Sequence, residues 1–179
     1  MDTASIKEAL KQLIGHLDIP YYVCAADTHP KLGQYPAIVI QNINPYAKGG
    51  EHWISWWAKS KDRCEYFDSF GFPVQEYPHL KFPYKYIEHD NTLQLQSNDN
   101  NVCGIWCVRF AHDKAKGMTF NQFIKQWKHP HQSNEYNDKK ILKWFIKNTF
   151  IIAPGRTYNN NQTCISYNDY KNRKNCNSM

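Results

Sequence analysis

The amino-terminal segment places its apolar residues with the period of an α-helix. They recur every three or four positions as Ile6, Leu10, Leu13 and Ile14. Ser5 and Glu8 have the spacing of a capping box, which predicts that the helix begins at Ser5. Gly15 follows the last apolar position, and a glycine at this place favours the end of a helix.

The middle of the chain has the pattern of β-strands. Residues 37–41 are mostly apolar and β-branched, which predicts a buried strand. Residues 52–58 and 64–68 flank a polar five-residue loop, 59–63, and this arrangement predicts a β-hairpin. Two weaker candidates for short strands are residues 82–87 and 92–96.

The second half of the chain returns to helical patterns. The first two turns of residues 103–116 are apolar on nearly every side, which is typical of a helix buried in a core. Gly117 favours the end of this helix. Residues 119–127 predict a short helix, and residues 134–149 predict a longer one.

The composition indicates one folded domain followed by a tail. The chain has 179 residues, of which 41% are hydrophobic and 15% aromatic, and this excludes disorder as its main state. Its apolar runs are far shorter than the roughly 20 residues that a membrane-spanning helix needs. Its acidic start is unlike a signal peptide, so we expect an intracellular protein that is not secreted. We also expect a monomer with no membrane partner. Residues 1–153 form the predicted domain, and residues 154–179, rich in asparagine and basic side chains, predict a flexible tail.

Charge and cysteine content restrict the kinds of partner and site. A formal net charge of +6 favours an anionic partner. The six cysteines predict reduced thiols, because the chain is large enough to need no disulfide framework. Cys103, Cys107 and His112 have the spacing C-x3-C-x4-H, but a second ligand pair is missing, so we predict no metal site. Six lysines near the carboxyl terminus predict either a solvated face or a nucleic-acid-binding surface: Lys125, Lys128, Lys139, Lys140, Lys143 and Lys147.

Cys103 is the first candidate for chemistry. It lies where the polar loop 97–101 becomes the buried helix, and the positive end of a helix dipole stabilises a thiolate. Gly104 beside it lets a substrate backbone approach closely. The position at the start of a helix supports two roles for Cys103 equally: a nucleophile, or a small buried apolar residue.

The predicted hairpin register brings a base and an acid together. With the loop at 59–63, Ala58 pairs with Cys64 and Asp68 becomes the diagonal neighbour of His52 on the same sheet face. The Asp68 carboxylate can then accept one imidazole proton and fix the tautomer of His52. Gln96, shortly before the cysteine, can donate an amide N–H to a developing oxyanion together with the backbone N–H of the cysteine. Trp53 is either core or part of a substrate cleft.

Three segments in this order resemble a known family. They are Gly49-Gly50-Glu51-His52-Trp53, then Tyr66-Phe67-Asp68-Ser69-Phe70-Gly71-Phe72, then Gln96-x6-Cys103-Gly104-x2-Cys107. Together they cover residues 47–110 and resemble the adenovirus-type, or adenain-like, cysteine proteases of DNA viruses and virus-like transposons. The order His, acid, Gln, Cys is that of this family and is opposite to the order in papain.

The resemblance implies a function for each of these residues. His52 matches the general base, Asp68 the acid that orients it, Gln96 the oxyanion donor and Cys103 the nucleophile. The implied fold is α+β, with a central mixed β-sheet packed against the buried helix that starts at the catalytic cysteine. The implied activity is that of a thiol endopeptidase that cleaves viral capsid or core precursors during virion maturation, in the host nucleus and the virion. Trp53 and Gly104 are the expected substrate contacts.

Some members of this family are activated by DNA and by a peptide. The sequence itself requires no cofactor, and either activator is compatible with its basic charge. Adenain joins its peptide through a cysteine shortly upstream of the glutamine. This chain has no cysteine between Cys64 and Cys103, so a disulfide-linked peptide is not expected. Asp68 stands where adenain has a glutamate, and either carboxylate can orient a histidine.

Two other functions fit the same residues. Proteases that remove ubiquitin-like modifiers share the order His, Asp, Gln, Cys and the Cys-Gly start of the helix. The longer spacing between Gln96 and Cys103, and the Phe-Gly-Phe after the aspartate, favour the viral type over this one. A protein that binds nucleic acid on an inactive protease scaffold is the second alternative.

Overall fold

The computed structural model describes residues 1–48, 51–80, 84–128 and 132–150. This part of the chain forms four α-helices and a five-stranded β-sheet. The helices are α1 (Thr3–Ile14), α2 (Cys103–Ala115), α3 (Phe120–Trp127) and α4 (Asn134–Asn148). The strands are β1 (Tyr21–Cys24), β2 (Ala37–Asn42), β3 (Trp53–Ala58), β4 (Arg63–Phe67) and β5 (Tyr86–Asp90).

The sheet is mixed, and its strands lie side by side in sequence order. β3 is antiparallel to both of its neighbours, β2 and β4, whereas β1 is parallel to β2 and β5 is parallel to β4. Within the hairpin Ala58 pairs with Cys64 and Ser55 pairs with Phe67. This is the predicted register, because the loop between the strands has the expected length. The chain therefore has an α+β fold with a mixed sheet.

Hydrophobic clusters cover both faces of the sheet. Alternate residues of a strand point to opposite faces, so Ile38 and Ile40 pack with the helices while Val39 packs on the other side. The second face is covered by loop residues that include Tyr77 and Tyr84. Two buried faces explain why all six residues of β2 are buried.

Helix α2 is the centre of the larger cluster. It packs against β3 and against the other three helices, and Ile105, Trp106 and Val108 are completely buried. The prediction that the first two turns of this helix are buried in a core is confirmed. Gly117 follows α2 with a φ of +85°, a conformation that favours glycine, and the helix ends there as predicted. This packing fixes the position of the first turn of α2 next to β3.

Several local predictions were wrong. Helix α1 begins at Thr3, and Asp2 is its N-cap, accepting the Ser5 backbone N–H at 2.8 Å. Ser5 is therefore already inside the helix, and no capping box forms with Glu8, because an aspartate caps as well as a serine does. Residues 92–96 form no strand, and β5 (Tyr86–Asp90) overlaps the predicted strand 82–87 only at Tyr86 and Ile87.

Some predictions concern residues outside the described ranges. These are the tail over 154–179, the two glycines that open the first motif, and residues 82 and 83. Among the described residues, no helix combines the length and the apolar character that crossing a bilayer requires.

Candidate active site

His52 and Asp68 form a buried pair at the end of the hairpin. His52 Nε2 donates to Asp68 Oδ1 over 2.9 Å, and the two side chains are 8% and 0% exposed. Because an ionised carboxylate only accepts, this contact places a proton on Nε2. The other ring nitrogen, Nδ1, is also buried and bonds no described group within hydrogen-bond geometry. The contact predicted from the hairpin register is present.

Four donors surround the Asp68 carboxylate. Oδ1 accepts the backbone N–H of Phe70 at 2.8 Å as well as the imidazole, while Oδ2 accepts the hydroxyls of Tyr77 at 2.7 Å and Tyr66 at 3.3 Å. Burial and the charge of Asp68 raise the pKa of both tyrosines, which keeps their hydroxyls protonated as donors. The Phe70 ring lies against the imidazole with 4.8 Å between the ring centroids. The acid is therefore fixed by contacts from several segments.

The first residue of α2 is Cys103, a free and buried thiol. Burial raises the pKa of this thiol, but its interaction with the His52 imidazole and the charge of that ring, with help from the Trp53 backbone, outweigh burial and leave the pKa below its ordinary value of 9.0. Burial lowers the pKa of the His52 imidazole, whereas its interactions with Asp68 and Cys103 raise that pKa to about 9. The two shifts act in the same sense, and both favour a thiolate–imidazolium pair over the neutral thiol and imidazole.

Gln96 lies in the segment that leads to α2 and is 1% exposed. Its Oε1 accepts the Ser69 hydroxyl at 2.8 Å, and its terminal nitrogen faces the Asn100 carbonyl, which can only accept. That nitrogen donates one of its two hydrogens to the Asn100 carbonyl. The remaining hydrogen is available to a second acceptor, as an oxyanion donor requires.

Trp53 and Gly104, the predicted substrate contacts, are both buried. Trp53 is 5% exposed, and its indole N–H donates to the Met1 carbonyl at 3.0 Å. A Cβ on Gly104 would lie 3.1 Å from the Met1 side chain and 3.4 Å from Ile6. Residues of the chain itself therefore occupy the space beside Trp53 and Gly104. A substrate role for these two residues stays a prediction.

Several polar residues of the site escaped the sequence-based prediction. Tyr77 reaches Asp68 from a loop, and no periodic pattern marks it. Asp138 on α4 bonds the loop between Gln96 and Cys103. It had a signal, because it lies three and four residues before Ile141 and Leu142 and so falls on the apolar face of that helix.

The arrangement supplies the parts of nucleophilic catalysis. A thiol of lowered pKa lies beside an imidazole, a buried carboxylate orients that imidazole, and a fixed carboxamide precedes the nucleophile. Cys107, one helical turn further, donates its thiol to the Trp53 carbonyl at 3.2 Å, and burial raises its pKa. Within the described residues no three His, Cys, Asp or Glu side chains converge as a metal site would need.

Comparison with known proteins adds no family assignment. No protein-family model matches the chain, and no curated protein matches it.

Proposed function

We propose that the protein is a cysteine endopeptidase with Cys103 as its nucleophile. The observation that carries this proposal is the buried His52–Asp68 pair, which interacts with the thiol at the start of α2 and lowers its pKa. A structural cysteine in an apolar helix has no need of an ion-pair partner, and burial alone would keep it protonated.

The first half of the reaction forms an acyl-enzyme. The Cys103 thiolate attacks the peptide carbonyl carbon, a C–S bond forms, and the carbonyl oxygen becomes an oxyanion. The free N–H of the Gln96 amide and the Cys103 backbone N–H stabilise this charge. The C–N bond then breaks, and the His52 imidazolium gives its proton to the leaving amine.

The second half returns the enzyme to its starting state. Neutral His52 takes a proton from a water molecule, and the hydroxide formed attacks the thioester carbonyl. The C–S bond breaks, the carboxylic acid product leaves, and the thiolate–imidazolium pair is restored. Throughout the cycle the Asp68 carboxylate accepts the Nε2 hydrogen bond and stabilises the charged imidazole.

We further propose an adenain-like fold and a viral substrate class. The support is the order of the three motifs and the mixed sheet with a buried helix that begins at Cys103. The substrates would be precursor proteins of a virion, cut during maturation in the host nucleus or in the particle. The viral substrate class and the location in the nucleus or the particle are proposed from the sequence resemblance.

A polyanion such as DNA is a candidate activator. The described parts of α3 and α4, with the residue after α3, expose six lysines: Lys125, Lys128, Lys139, Lys140, Lys143 and Lys147. Clustered lysines bind a phosphate backbone without sequence preference, and their affinity falls as salt concentration rises. The same surface is what a protein that binds nucleic acid without activity would use.

The test is hydrolysis of peptide libraries that include Gly-containing sequences, with and without DNA. We expect Cys103→Ala to abolish cleavage and Cys107→Ser, the matched control, to retain most of it. A Cys103→Ala variant as active as the wild type would refute the proposal. Cleavage only of substrates linked to ubiquitin-like modifiers would replace the viral class by a deconjugase. Salt-sensitive DNA binding without a fast-reacting thiol would indicate an inactive scaffold.

A further inference from the structure

Asp138 on α4 is a buried carboxylate, 3% exposed, that forms no ion pair with the described residues. Three neutral donors surround it instead. Oδ1 accepts the indole N–H of Trp106 on α2, and Oδ2 accepts the backbone N–H of Ser97 and the side-chain amide of Asn100, each at 3.0 Å. Burying a carboxylate without a nearby cation costs free energy. These contacts therefore indicate that the three donors need a negatively charged acceptor at this position.

The contacts connect Asp138 to the candidate oxyanion donor. Asn100 also donates from its side chain to the Ser97 hydroxyl at 2.9 Å, which closes the loop between these two residues. The Asn100 backbone carbonyl accepts the Gln96 amide. Asp138 therefore fixes Asn100, and Asn100 in turn binds the Gln96 amide. The Trp106 contact connects the same carboxylate to α2, the helix that begins with Cys103.

We propose that Asp138 is a positioning residue that sets the distance between the Gln96 amide and the first turn of α2. This inference rests on the proposed function, since it concerns the oxyanion site of that reaction. The amide hydrogen not used by Asn100 can meet an oxyanion only if loop 97–101 keeps its place relative to the helix. A donor displaced by about 1 Å loses much of its effect, on the order of 100-fold in rate.

The experiment measures the reactivity of the Cys103 thiol independently of the oxyanion site. Iodoacetamide alkylates a thiolate without forming an oxyanion, so its rate reports the Cys103–His52 pair alone. Peptide hydrolysis and the binding of a peptide aldehyde, which forms a tetrahedral adduct, need the oxyanion donors. The variants are Asp138→Ala and Asn100→Ala, compared with Asn101→Ala, an exposed neighbour in the same loop. The number of rapidly alkylated thiols per protein molecule gives the folded fraction of each variant. The hydrolysis rate of that variant is divided by this fraction.

We expect Asp138→Ala to lower kcat by about 10- to 100-fold, with a matching loss of aldehyde affinity, while KM and the alkylation rate stay within about twofold. Asn100→Ala removes the two side-chain contacts with Ser97 and Asp138, keeps the backbone carbonyl that accepts the Gln96 amide, and should lower kcat by about three- to tenfold. Because Asn100 is partly exposed, this variant tests the proposal even if Asp138→Ala fails to fold.

Unchanged kcat in Asn100→Ala, or a joint loss of hydrolysis and alkylation, would overturn the positioning role. Failure of the proposed function has a different signature, because the wild-type protein would then show neither hydrolysis nor a fast thiol. That result would remove both proposals together.

Discussion

Replacing Asp68 by asparagine tests the electrostatics of the site with little change in shape. The amide oxygen can keep the two contacts of Oδ1, with the imidazole and with the Phe70 N–H. The amide nitrogen then faces the hydroxyls of Tyr66 and Tyr77, which can rotate to accept from it. Asp68→Asn therefore removes the negative charge and leaves the hydrogen-bond partners in place.

The structure sets the direction and size of the effect. The pKa of His52 rises from its ordinary 6.5 to about 9, a difference worth about 3 kcal/mol in favour of the imidazolium. Asp68 and Cys103 both contribute to this rise, and removal of one neighbouring charge lowers a pKa by about 1.5. With that change the protonated fraction of His52 at pH 8.5 falls from about three quarters to about one tenth. The alkaline limb of kcat/KM should move to lower pH, with an activity loss of about eightfold at pH 8.5.

The assay is the pH profile of kcat/KM for peptide hydrolysis, supported by NMR titration of the His52 ring. The matched control is Asp62→Asn, which removes an exposed carboxylate in the hairpin loop, away from the imidazole. The control should keep its alkaline limb near pH 9. If Asp68→Asn also keeps its limb there, Asp68 does not raise the pKa of His52 and the electrostatic argument fails.

Two further predictions concern stability and are measured by urea denaturation. Gly71 has a φ of +75°, and a Cβ there would lie 2.7 Å from the Leu93 carbonyl carbon, so Gly71→Ala should lower the free energy of unfolding by about 1–3 kcal/mol. Gly33→Ala is its control, because no heavy atom lies within 4 Å of the added Cβ, and an equal loss in both would contradict the prediction. Lys114 Nζ lies 2.7 Å from Glu65 Oε2, with side chains 7% and 6% exposed. Lys114→Met leaves the buried Glu65 carboxylate with only the longer contact from Lys59, 3.9 Å from Oε1, and should cost about 3 kcal/mol, whereas a loss below about 1 kcal/mol would show that the pair is well solvated.

The parts of the site that were predicted depend on local structure. His52 and Asp68 are 16 residues apart, and a single hairpin of known loop length relates them. Once the alternation of the strands fixes the register, the side of the sheet on which each residue lies follows. The start of α2 at Cys103 was predictable for a similar reason, because a polar loop gives way at once to a continuously apolar helix.

The parts that were missed depend on contacts between distant segments. Asp138 meets Ser97 across 41 positions, and Trp53 meets Met1 across 52. Such contacts follow from the packing of whole helices, which hydrophobic periodicity does not determine. The sequence does mark Asp138 as unusual, because a charged residue on the apolar face of a helix needs buried partners. The sequence could not have identified those partners.

The state of the thiol also required the three-dimensional structure. The sequence argument credited the start of a helix with stabilising the thiolate, yet Cys103 is 6% exposed, and burial there raises its pKa. Cys107 lies one turn further along α2 in the same apolar surroundings, without the imidazole, and its pKa is raised. The opposite directions for two cysteines of one helix show that the contact with His52 reverses the effect of burial. The imidazole, itself held in its charged form by Asp68, therefore distinguishes the candidate nucleophile from an ordinary buried cysteine.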